Sequence, residues 1–381
     1  MKDEWTEDMN VEDPLDLSDI RDTNPYEKQN SRRELYKNLD PKMRMDKIAS
    51  KFMIRNNPDL WKMHYKTGFK LLDEALGGGF TPGVHYIGAI SSLGKSTFAL
   101  QMADSMAATG QPVIYVSLEM PRLDLTAKLV SMYTCRFNQH NLYLAKTSNM
   151  LMNRKIMDHF SDEEWETIEK AASTVEEHGK LISVLESQIN PVTIEHISEY
   201  IKYYSEIYNS KPVVFVDYLQ ILSSPKELRS SSDKQVIDYT VAKFRALSAT
   251  YNIPIIVISS FNRDNYNTKV SLQAFKESGN IEYSADSLIG LQLEGVGGAN
   301  FDIDKAKSGN PRKIELVLLK QRYGPTVFSI KYNFYTRYNW FEEVGWKSVP
   351  FGYGDDILKK QPHKRISLND VNKERKEEEI I

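Results

Sequence analysis

Between residues 84 and 260, short apolar runs alternate with stretches whose apolar positions recur at helical spacing. The runs cover 84–88, 112–118, 181–185, 213–216 and 253–258. Apolar runs this short and this continuous predict strands buried on both faces. Between them, Leu125, Leu129 and Met132 mark one face of a helix over 121–134. Trp165, Ile168, Ala172 and Val175 mark another, opened by the capping-box pattern Ser161 to Glu164. Ile194, Ile197, Ile201 and Tyr204 follow Asn190-Pro191, which reads as an N-cap with proline at the first helical position. Ile237, Val241, Phe244 and Leu247 line a further amphipathic helix. Residues 136–160 read as irregular or as short helices, and Leu71, Leu72 and Leu76 as a short helix stopped by Gly77-Gly78-Gly79. Later strands are expected at 286–293 and 312–319, and a β-hairpin arm at 325–335. The alternation predicts an α/β domain with a mostly parallel central sheet flanked by helices. Such sheets take their ligands at the carboxyl ends of the strands.

The flanks break this rhythm. Residues 1–30 are acidic, carry Pro14 and Pro25 and little apolar content, and read as disordered. Residues 31–66 form a helix-compatible linker punctuated by Leu35, Leu39, Met43, Met45, Ile48, Phe52 and Ile54, with Pro41 breaking it. Such a helix packs on its own domain or docks on a neighbouring subunit. The folded domain is expected over 67–345, and 346–381 reads as a charged flexible tail.

Composition narrows the function classes. A formal net charge of -3 excludes a chain that binds nucleic acid by overall basicity, so any such contact comes from a local patch. One cysteine, Cys135, excludes an internal disulfide and fits a reducing compartment. The seven histidines are scattered and give no zinc pattern. No run reaches membrane-spanning length and the acidic N-terminus is no signal peptide, so a soluble cytoplasmic protein without a membrane partner is expected.

The chemistry concentrates at Ala89-Ile90-Ser91-Ser92-Leu93-Gly94-Lys95-Ser96, followed by Thr97. A strand leads in and a helix leads out, the context that makes Gly-Lys-Ser a phosphate loop. Backbone N–H groups of Ser91 to Thr97 would face the phosphates, Lys95 the β- and γ-phosphates, and the Ser96 hydroxyl a Mg²⁺. Ala89 stands where the pattern has glycine, which is harmless if its φ is negative. Asp217, ending an apolar strand expected beside the loop strand, is the natural acidic partner of that Mg²⁺. Glu119 lies at the tip of the next strand; it either polarises attacking water or serves as a charge before the helix at 121–134. Lys320 and Arg322 are candidates for positive charge at the γ-phosphate, or a solvated charge cluster. ATP and Mg²⁺ are the expected cofactors.

Together, these residues resemble the RecA-like motor domain of DnaB-type hexameric replicative helicases. The resemblance runs from about Thr67 to about Glu343. It includes Ser117-Leu118-Glu119-Met120-Pro121, Asp217-Tyr218-Leu219-Gln220, Lys276-Glu277-Ser278-Gly279-Asn280-Ile281-Glu282 and Lys320-Gln321-Arg322-Tyr323-Gly324-Pro325. It implies a RecA-like P-loop NTPase fold and an ATP-dependent DNA helicase or translocase acting in DNA replication. It implies that Glu119 is the catalytic glutamate and that Lys320 and Arg322 reach a neighbour's nucleotide. It further implies that Lys276, Glu277 and Gly279 form a loop that touches single-stranded DNA in the channel of a homo-oligomeric, hexameric ring. A primase or replication-initiation partner, and a bacterial, phage or mobile-element source, belong to the same expectation. Two departures stand out. Ser260 occupies the place where the family has a glutamine that senses the γ-phosphate, which favours as alternative a non-unwinding, DNA-dependent ATPase of recombination, repair or regulation. The family's helical N-terminal collar is not expected, since residues 1–66 do not resemble it.

Overall fold

A computed structural model describes residues 45, 49–54, 63–187, 191–208, 211–223, 228, 231–261, 265–275, 279–324, 326 and 328–348. The chain divides into two compact units, 1–62 and 63–381. In the first, the described residues form one 3-10 turn, Ser50–Met53, with Phe52, Met53 and Ile54 exposed. The expected acidic segment 1–30, most of the linker helix and the tail from 349 lie outside the described residues.

The second unit is built on one nine-stranded sheet. Its strands are β1 (Gly83–Ala89), β2 (Val113–Ser117), β3 (Ile182–Glu186), β4 (Val213–Asp217), β5 (Pro254–Ser260), β6 (Ser287–Leu293), β7 (Arg312–Gln321), β8 (Phe328–Tyr335) and β9 (Trp340–Ser348). The order is β3-β2-β4-β5-β1-β6-β7-β8-β9. The first six are parallel, and β7, β8 and β9 add an antiparallel extension. Every residue of β1, β2, β4 and β6 is buried, the physical reason for their largely apolar runs, and the polar exceptions His85 in β1 and Gln292 in β6 are hydrogen-bonded. β3, at the edge, is only half-buried and tolerates Ser183.

The helices are α1 (Lys70–Ala75), α2 (Lys95–Ala108), α3 (Arg122–Phe137), α4 (Ser148–Leu151), α5 (Arg154–Met157), α6 (Asp162–Gly179), α7 (Ile194–Tyr208), α8 (Asp233–Tyr251), α9 (Gly279–Ser284) and α10 (Ile303–Ser308). The expected capping box opens α6, with Ser161 and Glu164 satisfying each other's backbone N–H. The expectation at Asn190-Pro191 is corrected. α7 starts at Ile194, and Pro191 lies ahead of it, because the Thr193 hydroxyl accepts from the His196 N–H and takes the cap.

The late arm expected at 325–335 contains β8, which pairs antiparallel with β7 before it and with β9 after it, so the arm extends through a third strand. Bulges at Ser329/Ile330 and Lys331/Tyr332 shift the β8–β9 register, so β9 does not show a clean apolar alternation. This extension folds over the helix after the phosphate loop. Phe98 of α2 packs edge-on to Tyr332 and Phe341 and stacks on Phe69 at 4.8 Å. Gln101 of α2 exchanges two hydrogen bonds with the Phe341 backbone, each 2.9 Å. The Glu343 carboxylate accepts the Leu71 and Leu72 N–H groups, capping α1.

Candidate active site

β1 delivers Ala89 to the carboxyl edge of the sheet, and α2 begins six residues later at Lys95. The intervening loop turns on two left-handed residues, Ser92 at φ 66° and Gly94 at φ 88°. Gly94 is required twice over, because a Cβ there would also lie 2.6 Å from the Phe334 ring. Ala89 is not among the positive-φ residues, so it replaces glycine without strain. Leu93 is fully buried and anchors the loop, while Ser91 and Ser92 are exposed at its apex. The Lys95 ammonium donates to the Ala89 and Ile90 carbonyls at 3.0 and 3.1 Å. Burial pulls its pKa down to about 8, against the opposing pull of Asp217 and Glu119.

Asp217 ends β4, but β4 is not the neighbour of the loop strand as expected. β5 lies between them, pairing with β4 on one side and β1 on the other. Asp217 still reaches the loop helix, because its Oδ1 accepts the Ser96 hydroxyl at 3.1 Å. Its Oδ2 accepts the Tyr115 hydroxyl, also at 3.1 Å. Burial raises the Asp217 pKa, while the Ser96 and Tyr115 hydrogen bonds oppose the rise. A buried carboxylate and a hydroxyl side by side are hard oxygen donors, and they fit a divalent cation such as Mg²⁺.

Glu119 is exposed, two residues past β2. Its turn is fixed by three contacts: the Ser117 hydroxyl to the Met120 carbonyl at 2.6 Å, the Ser187 hydroxyl to the Leu118 carbonyl at 2.7 Å, and the Leu118 N–H to the Asp217 carbonyl at 2.9 Å. Two other carboxylates also serve the start of the next helix. Glu186 of β3 accepts the Arg122 N–H at the start of α3, and Asp124 is the acidic residue of its first turn. Glu119 is close enough to bear electrostatically on Lys95, Asp217 and Lys128.

Lys128 is the member that sequence reasoning missed. Its ammonium lies 3.4 Å from the Thr97 hydroxyl. Burial lowers its pKa, while Asp217, Glu119 and Asp124 pull it back up. A signal was available: Lys128 follows Leu125 by three positions and so sits on the inward face of α3. A lysine on an inward face is uncommon without a partner.

Lys320 and Arg322 are not brought to this cluster. They lie at the opposite edge of the sheet, where Arg322 pairs with Asp286 at 3.0 Å and Lys320 donates to the Glu282 carbonyl. Asp286 in turn accepts the N–H of Val84, at the start of β1. The span of β1 from Val84 to Ala89 is roughly 17 Å at 3.3 Å per residue, beyond the reach of an arginine side chain. Lys276 and Glu277 lie outside the described residues, and Gly279 opens α9. Ser260, at the end of β5, pairs in register with Ala89. The Gln220 side chain covers this strand end, donating to the Ser259 hydroxyl at 3.0 Å and accepting the Ser260 N–H at 3.4 Å.

A family model described as the DnaB-like helicase C-terminal domain matches residues 65–343. The chain belongs to this DnaB-like family. It is 28% identical over 283 residues to the replicative DNA helicase DnaB of Leifsonia xyli subsp. xyli, covering 73% of this chain and 55% of that protein. It is 25% identical over 279 residues to the replicative DNA helicase DnaB of Geobacillus stearothermophilus, covering 72% and 55%. The chain therefore spans about half the length of these curated relatives. Among solved structures, an isolated ATPase domain superposes with a TM-score of 0.64 at 20% identity, covering 78% of this chain and 98% of that one. A DnaB-like replicative helicase, solved for its interactions with primase, gives 0.63 at 20% identity, covering 78% and 65%. These superpositions establish the RecA-like ATPase fold of the DnaB-like family.

Proposed function

We infer that the chain is the ATP-driven motor of a replicative DNA helicase, working as a ring on single-stranded DNA. One observation carries the reading: a single chain gathers one charged cluster at the carboxyl edge of its sheet and holds a cationic pair at the far edge, which we read as two halves of a hydrolytic site. The near half contains Lys95, Ser96, Glu119, Lys128 and Asp217. The far half is the cationic pair Lys320 and Arg322. A head-to-tail ring sets the far half of one copy against the near half of the next.

Each residue then has a role. The N–H groups of the loop through Thr97 and the Lys95 ammonium bind the phosphates of ATP, and the phosphate charge favours the protonated form of Lys95 against its burial. Ser96 and Asp217 hold Mg²⁺, which when bound neutralises phosphate charge. Glu119, exposed to water, orients the attacking molecule and takes its proton. Lys128 supplies positive charge from the same chain, and Arg322, with Lys320, from the neighbour. Lys320 is bonded to the backbone of α9, the helix that opens at Gly279 within the expected DNA-contact stretch of Lys276, Glu277 and Gly279. That bond supports a direct mechanical link between bound DNA and the neighbour's nucleotide. Phosphate contacts of this loop are independent of base sequence and sensitive to salt. Primase or a replication-initiation factor is the partner class of the same reading, supported by the solved relative studied with primase.

The test is the rate of ATP hydrolysis with and without single-stranded DNA at fixed salt, followed by strand displacement. Stimulated hydrolysis with displacement is the expected result. Stimulation without displacement supports the non-unwinding alternative that Ser260 favours, and hydrolysis indifferent to DNA refutes the motor reading.

A further inference from the structure

Arg312 opens β7, and nothing in the site described so far uses it. Its Nε and Nη2 donate to the Lys307 carbonyl in α10, the former at 2.9 Å. Its Nη1 donates to the Ser92 carbonyl at 2.6 Å, at the apex of the phosphate loop. The guanidinium also lies 6.0 Å from the Phe334 ring, the ring that closes against Gly94. One side chain thus ties the loop to α10 and to the antiparallel extension.

The orientation of one peptide makes this contact more than a brace. The Ser92–Leu93 peptide is trans, since the cis bonds among the described residues are Asp217–Tyr218 and Asn310–Pro311. In a trans peptide the N–H points away from the C=O. Arg312 holds the Ser92 carbonyl, so the Leu93 N–H points to the side of the peptide away from Arg312, free to meet a phosphate oxygen as loop N–H groups do. Ser92 is held in a left-handed conformation that a serine does not favour, so the loop needs an outside contact to keep this arrangement without nucleotide. We propose that Arg312 is a positioning residue for phosphate binding: it presets the Leu93 N–H and adds a positive charge beside the loop. The proposal rests on the phosphate-loop reading above.

The test measures Kd for ATP and ADP, kcat and KM, and the unfolding midpoint without nucleotide, on the full chain. Arg312→Ala is expected to weaken ATP and ADP alike, by about tenfold, as loss of a charge-assisted hydrogen bond does. The loss should appear in KM far more than in kcat, with the unfolding midpoint little moved. Arg312→Lys restores the charge but cannot bridge both carbonyls, so it should recover only part of the affinity. If Arg312→Ala does not fold, Arg312→Gln carries the same comparison. Unchanged affinities overturn the proposal, as does a loss confined to ATP and kcat, or a lowered midpoint with affinity intact. Lys95→Ala separates the two ideas. If it too binds like wild type, the phosphate-loop reading fails. If it loses nucleotide while Arg312→Ala keeps it, only the present inference fails.

Discussion

Replacing Lys95 with methionine should abolish ATP turnover and yet stabilise the nucleotide-free protein. The lysine is almost wholly buried, and burial pulls its pKa from 10.5 to about 8. That displacement means the charged form costs about 3 kcal/mol at neutral pH in the folded chain. Methionine removes the charge and fills similar space. It also removes the donations to the Ala89 and Ile90 carbonyls, worth about 1 kcal/mol each, although Ala89 keeps the Phe261 N–H as a donor. The net gain is about 1–2 kcal/mol, which for a unit of this size raises Tm by about 2–6 °C. The sign of the pH dependence follows from the direction of the shift. Between about pH 8 and 10.5 the unfolded chain holds more protons at Lys95 than the folded one, so wild-type stability rises with pH across that window. The advantage of Lys95→Met should therefore be complete at pH 7 and much reduced at about pH 9.5. Calorimetry of both proteins at the two pH values, without nucleotide, reads this directly. A less stable Lys95→Met variant at neutral pH, or a gap that does not shrink at the alkaline value, refutes the reasoning.

Glu119→Gln should bind ATP normally and lose at least about a hundredfold in kcat, the ordinary worth of a positioned general base; a loss under tenfold removes it from that role. Lys276→Ala should weaken single-stranded DNA binding and reduce the slope of log K against log salt by about 0.7, the share of one phosphate contact. An unaltered slope places the DNA elsewhere.

Much of the fold was legible because the central strands are buried on both faces. β1, β2 and β4 show as apolar runs, and a run that stops at Asp217 or just before Glu119 also marks the carboxyl edge, where sheets of this kind take their ligands. Lys95 and Ser96 were legible because a phosphate loop is a local pattern. What the sequence hid depends on long-range pairing. Nothing local says that β5 inserts between β1 and β4, so the separation of Asp217 from the loop strand appears only in the sheet order. β9 was obscured by bulges in its partner pairing and by Glu342 and Glu343, whose carboxylates are spent on Asn333 and Tyr335 and on the α1 N-terminus. Lys128 and Arg312 reach the loop region by tertiary approach, from 31 and 220 residues away in sequence from their partners Thr97 and Ser92. Lys320 and Arg322 could be named from the family motif, but that they cannot reach their own chain's phosphate loop required the strand register.

Completion of the hydrolytic site between subunits is tested most directly by mixing two inactive variants. Glu119→Gln keeps the cationic pair and Arg322→Ala keeps the glutamate, so neither alone should turn over ATP. In randomly mixed rings roughly a quarter of the interfaces pair an intact Glu119 with an intact Arg322 from the next copy. Equal mixtures are therefore expected to regain ATP hydrolysis, up to about that share of the wild-type rate. Mixtures as inactive as their components, formed under conditions where the rings exchange subunits, would contradict a site shared between neighbours.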